Sequence, residues 1–334
     1  MNTNLMIANP IESVLNIEQS ACGKTILLGE HAAVYGYNAL AIALTDVRLN
    51  VNLHLMPSHS VNSNNSVLWN FSSEGVELPI DDYRENQLHK ALQTTYEVCN
   101  VPPELRNLIF KIEVKSQIPL GGGMGGSAAL SVALVRSMIV LLNGNNLFYF
   151  NSLDIAAKAN KVDAVFHGVA SGLDVAAVCH EGAISFERGL PVRSLKVGKC
   201  FWLLLIDSGQ RISTEEMVDR VKQMQKNNEL LHKQCMDKLG EFALHGIQAL
   251  ENGDLQFLGN CMTQAHAVLK SCQVSTAKLD SLCVDLLNCG ALGAKLTGGG
   301  GGGLVLGLFE KSPEENISYL KSLGPLYTTF VSAE

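Results

Sequence analysis

The spacing of apolar and polar residues changes character several times along the chain. Thr25–Gly29 and Ala39–Leu55 are densely apolar, the second rich in Val, Ile, Leu and Thr, and both read as strands. Residues 57–66 are a polar break, and residues 83–98 space their apolar positions as a helix does. Lys111–Ile118 alternates with period two, the pattern of a strand. Pro119 and a glycine cluster then lead into a long apolar helix over Ser127–Leu142. A second helix is predicted over 152–164. Residues 168–190 are rich in small side chains, and Cys200–Ile206 is a hydrophobic strand.

From there amphipathic helices dominate. Ser213 with Glu216 forms a capping box that opens a helix running to about Asn227. Further helices are predicted over 228–251, 253–271 and 275–289. The chain ends with a strand at Gly293–Leu296, a glycine run at Gly298–Gly303, a strand at Leu304–Leu308, a helix over 313–323 and a strand at Tyr327–Ser332. Strands and helices follow one another irregularly, which predicts an α+β fold and not a strict βαβ alternation. The change in character near residue 190 divides the chain into two lobes, 1–190 and 191–334.

Composition narrows the classes of function. A hydrophobic content of 47% with 17% charged residues suits a globular protein and not a disordered one. The net charge of −7 argues against nucleic acid as the main partner, though an anionic substrate at a locally positive site remains compatible with it. The nine cysteines contain no CxxC and no zinc-ligand spacing, so they read as reduced thiols of a cytosolic protein. The N-terminal residues lack a basic region followed by an apolar run, and no apolar stretch reaches the ~20 residues of a membrane span. The expectation is a cytoplasmic protein with no membrane partner, as a monomer or a homodimer.

Two familiar motifs fail on context. The run from Gly121 to Gly126 satisfies G-x-G-x-x-G, but the region about 20 residues on (Leu142–Leu147) offers no acid for a ribose. Gly23-Lys24-Thr25 resembles the end of a Walker A motif, but its first glycine would fall at Glu18.

Three segments carry candidate chemistry. In the first, Gly121, Gly122, Gly123, Met124, Gly125 and Gly126 precede Ser127 and Ala128 at the start of a helix. Glycines let backbone amides approach an anion, and the helix N-terminus adds partial positive charge, so the segment reads as a phosphate cradle. A tight turn that merely needs glycine geometry is the alternative. Ser127 also offers a hydroxyl to a phosphate-bound Mg²⁺. The second segment runs Ser20-Ala-Cys-Gly-Lys-Thr-Ile-Leu-Leu-Gly-Glu-His-Ala-Ala-Val-Tyr-Gly36, and the third Gly293-Ala-Lys-Leu-Thr followed by six glycines. So many glycines are costly in chain entropy, which points to close approach to a ligand or to another loop.

Together these segments resemble the GHMP kinase superfamily, and within it mevalonate kinases. The cradle is similar to P-P-G-A-G-L-G-S-S-A-A, departing at Gly126, where the family has the first of two serines. The second segment is similar to A-P-G-K-x-I-L-x-G-E-H-x-V-V-x-G, with Cys22 in place of proline. The third matches K-L-T-G-A-G-G-G-G and places Thr297 beside substrate. The stretch His167-Gly-Val-Ala-Ser-Gly-Leu-Asp174 resembles H-G-x-P-S-G-x-D-N, departing at Ala170 and Val175.

The resemblance implies a two-lobed fold: an N-terminal α+β lobe with a left-handed βαβ unit, and a ferredoxin-like C-terminal lobe. It implies ATP and Mg²⁺ as cofactors, and transfer of phosphate from MgATP to the 5-hydroxyl of mevalonate. Asp174 would be the catalytic base and Lys24 the cation at the reacting hydroxyl. Ser127 and Asp163 would bind the metal, Asp163 standing where the family has glutamate. Glu30 and His31 would line the mevalonate side. Another GHMP kinase, for phosphomevalonate or a sugar, and a non-catalytic binder are the alternatives.

Overall fold

The computed structural model describes residues 16–55, 67–73, 75–106, 110–119, 121–143, 151–167 and 171–333. The first fifteen residues, the predicted polar break at 57–66, the Gly144–Leu147 part of the region tested for an acid, and residues 168–170 with the Ala170 departure lie outside the described residues.

The chain begins with β1 (Asn16–Leu28), a 3-10 turn (Ala32–Tyr35) and β2 (Ala39–Leu55). β3 (Val67–Ser73), β4 (Val76–Glu77), α1 (Asp82–Val98), α2 (Pro103–Arg106) and β5 (Phe110–Ser116) follow. Next come α3 (Gly126–Asn143), α4 (Ser152–His167), α5 (Leu173–His180), β6 (Ala183–Phe186) and β7 (Arg193–Ser194). The seventeen-residue β2 organises the first sheet. One of its edges pairs with β1, and the other pairs first with β6 and then with β5. β3 lies parallel to β5, with α1 and α2 between them in the chain, which makes a βαβ unit.

α3 is apolar on every side and buried from Ala128 to Val135, the pattern of a helix enclosed by a core. It packs on β1, β2, α1, α4 and α5. By length and composition it is apolar enough to cross a membrane, but over half of it is buried inside the protein.

The second half contains β8 (Phe201–Asp207), α6 (Thr214–Asn227), α7 (Glu229–Asn252), α8 (Leu255–Ser271), α9 (Ala277–Asn288), β9 (Gly293–Leu296), β10 (Leu304–Phe309), α10 (Ile317–Leu323) and β11 (Leu326–Val331). Its sheet has the order β11-β8-β10-β9, antiparallel throughout. Counted within this half, that is fourth-first-third-second, the arrangement of a ferredoxin-like split βαβ fold. β8 and β10 are buried almost end to end, which explains why their sequences are continuously hydrophobic and do not alternate.

The hydrophobic pattern locates most elements to within a few residues. β1 is the main correction: it starts at Asn16 and not at Thr25. Asn16–Ser20 carry little apolar signal, and this stretch is ordered by its ladder to Asn50–His54. At Cys22, where the family motif has proline, the strand continues toward Lys24 through a register shift between Cys22 and Gly23. β3 escapes the pattern altogether, because most of its side chains are half-exposed and its alternation is weak. The predicted 313–323 helix is a 3-10 turn at Glu314–Asn316 followed by α10.

Candidate active site

β1 carries Lys24 into the interior, where its side chain is only 3% exposed. Its ammonium lies 3.1 Å from Asp174 Oδ1 and donates to the Gly123 carbonyl, also at 3.1 Å. Asp174 stands in the first turn of α5, which Gly172 opens in a left-handed conformation, and its carboxylate is 37% exposed. One charged pair therefore joins β1, the glycine loop and α5, with the acid on the open side. The Lys24 amide also donates to the Met124 carbonyl at 2.9 Å, which fixes the loop against the strand. The Met124 side chain is buried in the core. Gly125 has φ +74°, and a Cβ there would stand 2.8 Å from Lys24 Cγ, so only glycine lets the loop close over the lysine stem.

Gly126, Ser127 and Ala128 form the first turn of α3, the end at which a helix directs its backbone amides outward. That first turn carries no acidic side chain of its own. Asp163 is buried at 3% exposure on α4, which packs against both α3, the helix of Ser127, and α5, the helix of Asp174. Among the described residues no cluster of three or more His, Cys, Asp or Glu side chains could hold a metal. Ser127 with Asp163 is a sparse donor set, which fits Mg²⁺ coordinated largely by water and phosphate oxygens.

The third glycine segment packs against the first. A Cβ on Gly123 would stand 3.6 Å from the Thr297 carbonyl, and one on Gly303 would stand 3.4 Å from the Gly122 carbonyl. Gly300 has φ +84°, and a Cβ there would come within 2.2 Å of the Val274 carbonyl. Close approach to another loop is therefore observed.

Thr297 is 2% exposed and joins the two halves: its Oγ1 accepts from the Ile26 amide at 3.2 Å, donates to the Ile26 carbonyl at 3.1 Å and meets Thr25 Oγ1 at 3.1 Å. His31 has φ +61°, uncommon for a residue with a side chain, and its Nε2 lies 2.9 Å from the Gly299 carbonyl. Burial lowers the pKa of its imidazole. Glu30 is buried and paired with Lys295 of β9. The end of β1 (Thr25 and Ile26) and the residues just after it (Glu30 and His31) are thus tied to the third segment through Thr297, Lys295 and Gly299.

The sequence reading misses two charged groups here. Lys295 lies within the quoted third motif but is not singled out by it, because burial of an ammonium beside Glu30 depends on a partner 265 residues away. Arg211 follows β8, and its stem lies 3.7 Å from where a Gly121 Cβ would stand. It binds the buried Asp207 through two contacts of 2.7 and 2.5 Å. Burial works against the Asp207 carboxylate, but Arg211 and the Gly209 amide outweigh it and hold its pKa below the usual range. The only sequence signal for this pair is an Asp-x-x-x-Arg spacing at a strand end.

A buried lysine paired with a carboxylate beside a glycine-rich loop that opens a helix, with a buried acid on a neighbouring helix, is an arrangement suited to phosphoryl transfer to an alcohol. Family comparison agrees. Residues 87–182 match the GHMP kinases N terminal domain and residues 247–324 the GHMP kinases C terminal domain. The chain belongs to the GHMP kinases.

Within that family it is similar to mevalonate kinases. The enzyme of Archaeoglobus fulgidus is 31% identical over 293 residues, covering 87% of this chain and 92% of the relative. That of Pyrococcus furiosus is 29% identical over 335 residues, covering 93% and 94%. The fold is shared with L. major mevalonate kinase in complex with R-mevalonate, at TM-score 0.80 and 23% identity, covering 98% of this chain and 99% of that one. It is shared as well with Streptococcus pneumoniae phosphomevalonate kinase, at TM-score 0.71 and 17% identity, covering 94% and 100%.

Proposed function

We propose that the protein transfers the γ-phosphoryl group of ATP to the 5-hydroxyl of mevalonate, yielding 5-phosphomevalonate on the route to isoprenoids. The single observation that carries this reading is the Lys24–Asp174 pair, 3.1 Å apart and tied to the glycine loop through Gly123. In this reading Asp174, on the open side of the pair, takes the proton of the hydroxyl. Lys24, held in a site that excludes water, stabilises the charge that develops on the oxygen. The amides of Gly121–Gly126 and the first turn of α3 hold the phosphates. Ser127 and Asp163 are the residues that would hold Mg²⁺, whose chemistry is to neutralise phosphate charge. Thr297, His31 and Glu30 shape the acceptor side, Thr297 chiefly by fixing the two halves to each other.

The lobe boundary near residue 190 belongs to this reading, since β7 ends the first sheet at Ser194 and β8 starts the second at Phe201. So does a cytoplasmic enzyme of lipid metabolism without nucleic-acid or membrane partners, in keeping with the acidic charge and the packed setting of α3. The test is coupled ADP release with mevalonate, phosphomevalonate, galactose and homoserine. Turnover confined to mevalonate is expected. Preference for another acceptor would reassign the substrate, and no turnover with any acceptor would overturn the kinase reading.

A further inference from the structure

Lys295, the buried partner of Glu30, has no part in the steps above. Lys295 is fully enclosed and Glu30 is 2% exposed. The lysine ammonium donates to Glu30 Oε1 and, at 2.6 Å, to the Leu296 carbonyl. The other carboxylate oxygen, Oε2, is buried without a hydrogen-bond partner. Buried ion pairs are weak stabilisers, and leaving a carboxylate oxygen unmatched adds cost, so stability does not account for this arrangement. Glu30 lies six residues after Lys24, within the electrostatic reach of its ammonium. An ionised carboxylate oxygen only accepts hydrogen bonds, and the donor that an alcohol acceptor would bring to it is a hydroxyl.

We propose that Lys295 is a positioning residue for the acceptor: it keeps Glu30 a carboxylate, one oxygen held by the ammonium and the other free to orient a hydroxyl of the acceptor beside Lys24. This rests on the reading of the protein as an alcohol kinase. The charged and titratable groups around the pair support it. Lys24 of β1 and Lys295 of β9 face Glu30, and His31 is its neighbour in the chain. Around Lys295 stand Cys283 of α9 and His266 of α8, with Lys24 again in reach. His266 Nδ1 accepts from the Leu296 amide at 3.2 Å and Nε2 donates to Asp280 at 3.1 Å. Burial lowers the pKa of that imidazole, so it adds no full positive charge beside the lysine near neutrality. Burial raises the pKa of Glu30 and lowers that of Lys295, and in each case the opposite charge of the partner works against the shift. Without the ammonium Glu30 takes up a proton more readily, and its oxygen stops being a pure acceptor.

The experiment is a carbon-13 NMR titration of carboxyl-labelled glutamate, run beside pH profiles of kcat/KM for mevalonate and of KM for ATP. The Glu30 resonance is assigned by its absence from Glu30→Gln. In Lys295→Met the Glu30 titration is expected to move alkaline by about one to three pH units. The acid limb of kcat/KM for mevalonate should move with it, a loss of about tenfold per unit at fixed pH, while KM for ATP holds. The double variant Glu30→Gln, Lys295→Met buries no lone charge, which guards against misfolding, and it should show low kcat/KM with the alkaline shift of the acid limb abolished, leaving only the limb of the base Asp174. The proposal is overturned if Glu30 titrates in Lys295→Met as in the wild type, or if it shifts while the limb stays in place. Absence of turnover by the wild type with any alcohol would defeat the kinase reading itself, and the NMR arm would still report whether Lys295 sets the charge on Glu30.

Discussion

Removal of Asp174 and Lys24, singly and together, probes the proposed chemistry most directly. Two unit charges 3.1 Å apart attract by about 1.3 kcal/mol in water and by about 5 kcal/mol at an effective dielectric of 20. Lys24 is 3% exposed but Asp174 is 37% exposed, so solvent screens one partner and the coupling belongs toward the lower end, about 1–3 kcal/mol. A general base contributes about 10²–10⁴ in rate. Asp174→Asn is therefore expected to lower kcat by about that factor, with KM for ATP nearly unchanged, since the proposed chemistry sets this carboxylate on the acceptor and not on the nucleotide. Lys24→Met should lower kcat and also raise KM for ATP, because its ammonium is bonded to the Gly123 carbonyl of the phosphate loop. Both groups act on one proton and one oxygen, so the double variant should exceed the product of the singles by about tenfold to a hundredfold. Steady-state ADP release with each substrate varied in turn measures all four enzymes, and thermal melts check that each is folded. Near-full activity of Asp174→Asn, or strict multiplicativity of the two losses, would refute the assignment and leave positioning as the better account.

Three other outcomes follow from the geometry. Asp163→Asn should raise the Mg²⁺ concentration needed for half-maximal turnover, while Asp163→Glu is tolerated; equal Mg²⁺ dependence in the Asn variant and wild type would remove Asp163 from the metal. Gly125→Ala forces a methyl against Lys24 Cγ at positive φ, so it should weaken both ATP binding and kcat, and a variant with unchanged kinetics would show that the loop does not depend on this contact. Asp207 has a folded pKa below its unfolded value, so its contribution to stability is full above about pH 4 and is lost as pH falls toward its folded pKa. Urea midpoints of wild type should drop through that window more steeply than those of Asp207→Asn, and parallel curves would contradict the pairing with Arg211.

What the sequence reveals depends on how local the cause is. α6 is legible because its cap is local: Ser213 accepts the Glu216 amide, as the capping box requires. β8 and β10 are legible because burial on both faces leaves a continuous apolar run. The first stretch of β1 is not, since Asn16–Ser20 are ordered by pairing with residues about thirty or more positions on, and hydrogen bonding to a partner strand leaves no mark in hydropathy. The chemistry divides in the same way. A glycine-rich loop entering a helix is a local device and can be read as an anion site from residue types alone. The use of the second glycine run cannot be read so, because the space it must vacate is set by Val274 and by the loop at Gly121–Gly123.

Thr297 shows why resemblance and geometry have to be weighed separately. The motif match places it beside substrate, and a threonine near a phosphate loop invites that role. In the folded chain its hydroxyl is already committed to the Ile26 amide and carbonyl and to Thr25. A hydroxyl has one proton and two acceptor positions, so a substrate contact would have to displace part of a buried network that holds β1 to the third glycine segment. Fixing that seam also fixes Lys24, the residue before Thr25 on β1, and with it the distance to Asp174. The same holds for His31 on the Gly299 carbonyl and for Glu30 on Lys295. A motif can be retained because it touches the ligand or because it holds in register the residues that do. For the second and third segments, the contacts across the seam favour register for Thr297 and leave the acceptor to Lys24, Asp174 and the free oxygen of Glu30.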